Sequence, residues 1–465
     1  MPPGRHWLWG SWLRDIPNDG IIRYLWFFNK ERILVTSPKA IAEVLVSKSY
    51  IFKKPDGARH TLGRIIGYGL VLTEGEVHKM QRRNLTPAFA FRRIKNLYPI
   101  FWEKSREMVE SIATECGADG TATIEIQGLA SRCTLDILGE ATMGKSFGAI
   151  QNENSPIIAT YRNLFEPSRQ AVILGLIGSI LPGWIADALP VKRNNDIFQA
   201  GATLRKLCQD LIDEQKTAAA EGDGNPKVNI ISAARQGGQF SESDLVDQLL
   251  TFLAAGHETT ATALTWAVYM LATRPGMQAK LRREVRSRLC SQKRAIVSSD
   301  IDEMEYLSAF CNETLRYWSP IPHTPRQASE DTTIGSQPVP RGTRIVISAG
   351  ATNRDPALWG EDAHIFDPER WISDTADHDK QRRAASGGAR SNYAFLTFLH
   401  GPRSCIGERF ARAELACMLA SLVGRFEIRL RDEEFKDEGK IPIRSGVVAR
   451  PLHGMHVVMT SLEGF

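Results

Sequence analysis

One cysteine stands among glycines and basic residues in the segment FLHGPRSCIG, residues 398–407. Free cysteine is often a buried, small apolar side chain, whereas a thiolate serves as a nucleophile or as a metal ligand. Gly401 and Gly407 flank Cys405 where a backbone without Cβ permits a tight turn and close approach of a flat ligand. The strongly helical segment that follows predicts that Cys405 lies at a helix N-terminus, where N–H groups and the dipole favour a thiolate.

A carboxyl and a hydroxyl adjoin each other in FLAAGHETTATALTW, residues 252–266, inside a long apolar-periodic helix. Glu258 beside Thr259 forms a pair that both donates and accepts protons, as a proton relay requires. A mid-helix glycine such as Gly256 costs about 0.5–1 kcal/mol relative to alanine. It indicates either close packing of another helix or a local functional irregularity. His257 is interpreted as a structural or substrate-side residue.

Opposite charges also recur at helical spacing. Glu313 and Arg316 in ETLR share one helix face, and FDPERW, residues 366–371, supplies Arg370. An arginine can bridge two such groups through its planar fork. The same spacing recurs in two pairs that are expected to be solvated on the surface, Glu103 with Arg106 and Glu166 with Arg169.

Long helices must position these groups. Apolar periodicity predicts helices over residues 91–115, 125–142, 196–220, 243–273, 276–291 and 303–317, and a last helix that begins near Cys405. Ser37 and Ser243 are predicted N-caps, and residues 21–37 are predicted to form two strands around a turn at Asn29 and Lys30. The polar, glycine-rich residues 373–392 are predicted to be an exposed loop.

These elements predict a mainly α (α+β) fold in a single domain, residues 1–465. We expect β-rich parts over about 20–55, 325–365 and 440–465, and helical parts over about 56–320 and 404–424. No window reaches the ~18 consecutive apolar residues of a spanning helix. The longest apolar run, residues 171–184, is broken by glycine and proline, so peripheral membrane contact is the most that we expect of it.

Composition narrows the class further. The chain has 465 residues, 43% hydrophobic and 24% charged, with a net charge of +5 and no basic run interleaved with aromatics. Nucleic acid is therefore not an expected partner. The 7 cysteines are odd in number, widely spaced and form no C-x-x-C pair, which argues against zinc and favours a reducing compartment.

The pattern Phe-x-x-Gly-x-Arg-x-Cys-x-Gly, met at Phe398, Gly401, Arg403, Cys405 and Gly407, resembles the haem-binding signature of the cytochrome P-450 family. The resemblance implies the family's fold, a large helical domain with a small β-rich region. It also implies haem b with Cys405 as the axial thiolate, which promotes O–O cleavage, and Arg403 paired with a haem propionate.

Other segments resemble motifs of the same family. AGHETT is similar to its oxygen-activation motif, in which the helix opens beside the haem. That similarity implies that Thr259 hydrogen-bonds the bound oxygen and that Glu258 feeds protons through water. ETLR with Arg370 resembles the charge triad that holds the cysteine loop. Residues 74–89 resemble the propionate-binding helix, with His78 in place of tryptophan and Arg82 retained, and Arg326 matches a further propionate contact.

The resemblance implies a monooxygenase that inserts one O2-derived oxygen atom into an apolar or aromatic organic substrate, in secondary-metabolite or xenobiotic metabolism. The motifs resemble those of eukaryotic microsomal members, fungal ones among them. No flavin or nicotinamide fingerprint is present, so a flavoprotein NADPH reductase is the expected electron donor. On this chain a basic docking face for the reductase is expected to include Lys79, Arg83, Arg409 and Arg412, and a solvated surface is the equally simple interpretation.

Other interpretations remain at this point. A haem-thiolate oxidative-coupling or isomerase enzyme would share the scaffold, and a cysteine hydrolase would use Cys405 with His400 or His257. The hydrolase does not account for Arg403, Gly407 or the charge triad. We expect no transmembrane anchor within this sequence. The protein is expected at the cytosolic face of the endoplasmic reticulum membrane if a native anchor is missing, and in the cytoplasm otherwise.

Overall fold

The computed structural model describes residues 5–165, 170, 174, 189, 191–220, 230, 240–290, 294–373 and 384–465. The predicted interfacial run, residues 171–184, lies outside this part of the chain except for Leu174. Contacts group the chain into two compact units. The first comprises Met1–Lys53, Phe91–Thr134 and Glu258–Phe465, and the second comprises Lys54–Ala90 and Leu135–His257. Both units therefore join segments that are distant in sequence.

The strands are short and, with their sheets, belong to the first unit. They are β1 (Ile21–Leu25), β2 (Glu31–Val35), β3 (Phe52–Lys53), β4 (Thr121–Glu125), β5 (Thr324–Ala328), β6 (Thr332–Ile334), β7 (Gln337–Val339), β8 (Arg344–Ile347), β9 (Phe426–Leu430), β10 (Ile443–Ser445), β11 (Ala449–Pro451) and β12 (His456–Ser461). The larger sheet has the order β1-β2-β8-β5-β3, and a smaller one has the order β4-β12-β9. Two further pairs, β6-β7 and β10-β11, are hairpins.

The predicted N-terminal hairpin is confirmed. β1 and β2 pair antiparallel with Ile22 opposite Leu34, and the turn between them includes Phe28 and Asn29, both at positive φ. β2 then pairs in parallel with β8, so that Ile33 lies beside Ile345. The apolar side chains of this sheet pack with Leu45 and with Leu396, which precedes the cysteine loop. The base of that loop is therefore part of a hydrophobic core.

Helices of the first unit, with those that extend into the second, are α1 (Arg5–Asp15), α2 (Pro38–Ala42), α5 (Phe91–Lys95), α6 (Tyr98–Cys116), α7 (Ile126–Leu138), α10 (Glu242–Thr273), α11 (Pro275–Leu289), α12 (Ser298–Asp302), α13 (Glu305–Tyr317), α14 (Ala349–Thr352), α15 (Pro356–Trp359) and α16 (Glu408–Arg425). The second unit also contains α3 (Asp56–Ile66), α4 (Gly75–Leu85), α8 (Pro156–Phe165) and α9 (Lys192–Ala220). None of the helices among the described residues is long and apolar enough to cross a membrane.

Several predicted boundaries are wrong for local reasons. The helix predicted over 91–115 is two helices, α5 and α6, because Pro99 has no N–H to continue the first one. Strand β4 falls inside a stretch predicted to be helical, since Gly120 turns the chain at φ 65° before the β-branched segment TATIE pairs with β12. Strand β9 likewise lies outside the predicted β-rich parts.

The predicted caps differ in outcome. Ser37 caps α2, because its hydroxyl accepts a hydrogen bond from the Ala40 N–H at 3.2 Å. Ser243 does not cap α10. The helix begins one residue earlier, and Ser241 takes this part by accepting from the Asp244 N–H at 3.2 Å while the Asp244 carboxylate accepts from the Ser241 N–H at 3.0 Å. This reciprocal pair satisfies two N–H groups at the helix start.

Candidate active site

The cysteine loop is closed by its own backbone. The Cys405 N–H donates to the Phe398 carbonyl at 2.8 Å, and residues Gly401–Arg403 between them form one tight helical turn. Leu399 and Gly401 have φ values of 55° and 78°, in the left-handed region. The loop thereby presents the Cys405 side chain as an exposed thiol.

Gly401 and Gly407 lack a side chain for different structural reasons. A Cβ on Gly401 would lie 2.3 Å from the Leu45 carbonyl oxygen, so this glycine permits close approach of the protein's own backbone. The expectation that Gly401 makes room for a flat ligand is therefore wrong. A Cβ on Gly407 would meet only the Cys405 sulfur, at 4.0 Å. The bare backbone of Gly407 thus leaves space next to the sulfur.

Cys405 precedes the helix that was expected to begin near it. α16 begins at Glu408 with Gly407 as the N-cap residue, so the thiol lies two residues before the cap. The prediction that Cys405 lies at the helix N-terminus is therefore wrong by two residues. The Cys405 N–H donates to the Phe398 carbonyl and takes no part in the first turn of the helix. The cysteine and the start of α16 remain adjacent in sequence.

Other cysteines differ from Cys405 in their surroundings. Burial raises the pKa of the Cys311 and Cys208 thiols to about 12. The pKa of the Cys417 thiol is raised well above its usual value for the same reason. Burial thus keeps these three thiols neutral, whereas the Cys405 thiol is exposed.

Basic and aromatic groups accompany the cysteine in the first unit. The buried Arg403 places its guanidinium 5.8 Å from the Tyr50 ring centroid. Phe398 is buried, and the Arg412 guanidinium lies 4.9 Å from its ring centroid while pairing with Glu408 at 3.0 Å. Arg412, predicted as part of a docking face, is therefore half-buried against the loop.

Arg326 lies on β5 and is only 2% exposed, where it donates to the Thr324 hydroxyl at 2.8 Å and the Pro325 carbonyl at 2.9 Å. A soft sulfur donor with two buried guanidiniums, Arg403 and Arg326, is a side-chain set that suits an iron ion carried by a ligand with carboxylates. The residues present in the first unit thus fit a haem. The space that Gly407 leaves beside the sulfur agrees with this.

His78 and Arg82 belong to the second unit. Both lie on α4, four residues apart and hence on one helix face. His78 is buried and Arg82 is half-buried. One face of this helix therefore carries two side chains that can donate to a carboxylate.

The structure brings Glu313, Arg316 and Arg370 together. Arg316 donates to both Glu313 carboxylate oxygens, at 2.7 and 2.8 Å, and both side chains are fully buried. Arg370 donates to the same carboxylate at 3.3 Å. The Trp371 indole N–H adds a bond at 3.0 Å, so the Glu313 carboxylate is saturated with donors. The alternative Arg106 pairs instead with Glu110, exposed at the surface.

Asn353 links this network to the cysteine loop, and sequence reasoning missed it. The Arg316 guanidinium donates to the Asn353 carbonyl at 2.8 Å. The Asn353 amide donates to the Thr397 hydroxyl at 2.8 Å and accepts from the Leu396 N–H at 2.8 Å. Leu396 and Thr397 directly precede Phe398. The one signal in the sequence was an asparagine after a short helix, which is too common to be specific.

The helix that carries Glu258 and Thr259 is an unbroken α-helix over Glu242–Thr273. Gly256 has a packing reason, since a Cβ there would lie 2.8 Å from the Leu138 side chain. In the second unit His257 is buried, contacts the Leu253 carbonyl through Nδ1 and packs edge-on to Tyr161 at 4.7 Å.

Glu258 has a partner that sequence reasoning did not find. Its carboxylate forms an ion pair with the Arg450 guanidinium, and the two side chains are 13% and 21% exposed. Arg450 stands alone between apolar residues and Pro451 in the sequence, so no pattern indicated it. Glu258 is therefore a held carboxylate in this structure.

Glu414 is a second carboxyl near the same helix. It is fully buried on α16, and burial raises its pKa well above the usual value, an effect that the neighbouring Thr260 hydroxyl opposes in part. Its sequence signal was a charged residue on the helix face that also carries Phe410 and Met418. Burial thus favours the protonated, neutral form of this carboxyl.

Comparison with known proteins shows the family. The family model "Cytochrome P-450" matches residues 18–458. The monooxygenase sphH of Aspergillus fumigatus is 42% identical over 100% of this chain and 88% of its own length, and ALT8 of Alternaria alternata is 41% identical over 98% and 85%. FUM15 of Gibberella moniliformis is 42% identical over 96% and 83%. All three carry the description cytochrome P-450 monooxygenase.

A solved structure shows the same fold. The heme domain of a cytochrome P450DA mutant aligns with a TM-score of 0.81 at 20% identity and covers 100% of this chain and 95% of that one. The predicted mainly α fold with a small β-rich region is thereby confirmed. The chain belongs to the cytochrome P-450 family, the oxidoreductases that incorporate oxygen and bind haem through a cysteine thiolate.

Proposed function

We propose that this monooxygenase inserts one O2-derived oxygen atom into an apolar or aromatic organic substrate, in secondary metabolism. The observation that carries the proposal is the exposed thiol of Cys405 in a closed loop of a chain matched by the family model over residues 18–458. The fungal relatives described as monooxygenases support the oxygen-insertion part of the proposal.

Cys405 would bind the haem iron, and Arg403 and Arg326 would hold its propionates, with His78 and Arg82 as further donors. Haem bound through a thiolate supplies the activation of O2, because sulfur electron density favours O–O cleavage. The chain contributes a fixed sulfur: the loop is closed by the Cys405 N–H, and its base is held by the Leu396 N–H on Asn353.

Thr259 and Glu258 are the proposed proton-transfer groups. A hydroxyl beside a carboxylate can accept a proton on one side and donate one on the other. The Glu258 carboxylate is held in place by its ion pair with Arg450.

A flavoprotein reductase remains the proposed electron donor. In the first unit the exposed Arg409 lies 5.2 Å from the ring of Phe91, which is also exposed and has the Lys95 ammonium at 4.5 Å. A cationic surface with an aromatic centre suits an acidic protein partner. The location proposed for the enzyme is the cytosolic face of the endoplasmic reticulum membrane, with the cytoplasm as the alternative.

The Cys405 assignment is tested by the spectrum of the reduced, carbon monoxide-bound protein. We expect the far-red Soret band of thiolate-ligated haem in the wild type and its loss in Cys405→Ala, because no other described cysteine is both exposed and in this loop. Cys290→Ala, a change at another exposed cysteine, is the matched control and should keep the band. A Cys405→Ala protein that retains the band would refute the assignment.

Oxygen insertion itself is tested with isotopically labelled O2. Incorporation of one labelled atom into the product supports the proposal. Conversion of substrate without incorporation would identify the enzyme as an oxidative-coupling or isomerase member of the family instead.

A further inference from the structure

Glu258 and Arg450 form an ion pair that is largely withdrawn from solvent. The two side chains are 13% and 21% exposed, and they come from the middle of α10 and from β11, 192 positions apart. An ion pair between two side chains that are mostly buried restricts where each of them can lie. Arg450 therefore fixes the place of the Glu258 carboxylate.

The position of Arg450 is itself fixed. With the Gln127 amide oriented to suit its neighbours, its oxygen accepts from Arg450 at 2.9 and 3.1 Å. The preceding residue, Ala449, is anchored through its N–H on the Pro320 carbonyl at 2.9 Å and through its carbonyl by the Trp266 indole N–H at 3.0 Å. Hydrogen bonds thus hold both the Arg450 guanidinium and the backbone beside it. Arg450 can therefore fix the orientation of the Glu258 side chain.

A second arginine lies opposite Arg450 on the same hairpin. Arg444 on β10 is the register partner of Arg450 on β11. Directly opposite residues of an antiparallel pair share one sheet face, where like charges oppose each other. The Glu258 carboxylate offsets this repulsion at Arg450. Arg444 also offers a matched control on the same hairpin.

We propose that Arg450 is a positioning residue for proton delivery: held by Gln127, it fixes the place of the Glu258 carboxylate, the neighbour of Thr259 in sequence. The inference rests on the proposed function of Glu258 and extends it, since it assigns a partner from the C-terminal hairpin. Without the guanidinium, the Glu258 side chain loses the ion pair that fixes its position.

The first test is spectroscopic. In infrared difference spectra of the haem-loaded protein, the absorption of the Glu258 carboxyl group is identified by its loss in Glu258→Gln, and it should move in Arg450→Met. Arg450→Lys, which keeps the charge but not the fork, should move it less, and Arg444→Met should leave it in place. A wild-type spectrum in Arg450→Met would overturn the inference.

The second test measures the fraction of electrons from the reductase that reaches product instead of hydrogen peroxide. We expect Arg450→Met to lower this fraction about tenfold, short of the 10²–10⁴-fold that loss of a proton-transfer group itself costs. Arg450→Lys should recover most of it, and in the Glu258→Gln background Arg450→Met should have no further effect. An equal loss in that background would overturn the inference, because Arg450 would then act independently of Glu258.

Failure of the two proposals can be told apart. Loss of the far-red Soret band only with Cys405→Ala, together with a lowered product fraction in Glu258→Gln, establishes the proposed function whatever Arg450 does. If Arg450→Met does not fold, Gln127→Leu serves in its place. It removes the acceptor that orients Arg450, and it should lower the product fraction by a smaller factor that is again lost in the Glu258→Gln background.

Discussion

Single atoms decide what Gly401 and Gly407 contribute to the cysteine loop. Gly401 combines a left-handed φ of 78° with a contact of 2.3 Å that a Cβ would make with Leu45. At Gly407 the same addition meets only the cysteine sulfur at 4.0 Å. Gly401 is thus required for the close approach of two backbone segments, whereas Gly407 leaves space beside the cysteine sulfur.

Replacement of each glycine by alanine should separate these contributions. Gly401→Ala is expected to lower the free energy of unfolding by about 3 kcal/mol, from backbone strain and the clash with Leu45. Gly407→Ala should change it by less than about 0.5 kcal/mol but bind haem more weakly. Denaturant unfolding of the apoprotein and haem titration measure the two effects. Equal destabilisation by both changes would contradict the distinction.

Glu414 shows how one buried carboxyl makes stability depend on pH. Its pKa in the folded protein is raised by burial, above the value of about 4.3 that an unfolded glutamate has. A raised pKa means that the folded state favours the protonated form. The contribution of this group to stability is therefore complete below about pH 4.3 and declines as the pH rises toward the folded-state value.

Glu414→Gln should remove that dependence, because glutamine has a similar shape and no ionisation. We expect the variant to gain stability relative to the wild type as the pH is raised from about 5 to 8, with the smallest difference at the acid end. Urea unfolding over this range measures the difference. The exposed Glu434→Gln is the control, and a difference for Glu414→Gln that shrinks with rising pH would contradict the assignment.

At the level of elements, three segments meet at the base of the cysteine loop. α13 supplies Glu313 and Arg316, the turn after α14 supplies Asn353, and the loop supplies Leu396 and Thr397. The Thr397 hydroxyl also donates to the Leu315 carbonyl at 2.7 Å. Neutral hydrogen bonds thereby connect the charge network to the backbone that leads to Cys405.

Asn353→Ala tests this transmission. The change leaves the buried Leu396 N–H without its acceptor, and an unsatisfied buried group costs about 1–3 kcal/mol. We expect a loss of that size in unfolding free energy together with faster transfer of haem to apomyoglobin. Asn96→Ala, at an exposed position, should alter neither quantity. Unchanged haem retention in Asn353→Ala would show that the cysteine loop keeps its conformation without the hydrogen bonds of Asn353.

At the level of the whole molecule, distant parts of the chain supply each unit. In the first unit β2 pairs in parallel with β8, and β4 pairs with β12, through registers that join residues about three hundred positions apart. Such pairing requires the connecting helices to form and pack, and the closure of long loops costs entropy that only the completed core repays. The long helix α10 contributes residues to both units.

The sequence by itself indicated the family, the proposed cysteine ligand and most helices, because these depend on contiguous motifs and on a periodicity of 3.6 residues. Phe398, Arg403, Cys405 and Gly407 lie within ten positions, and Glu258 adjoins Thr259. Only the tertiary structure disclosed Arg450, Gln127 and Asn353, whose partners are far away in sequence. Contacts of that kind arise when separate elements pack, and no local pattern encodes which side chains will then be neighbours. For the same reason Gly401 owes its place to Leu45, a residue of the N-terminal segment.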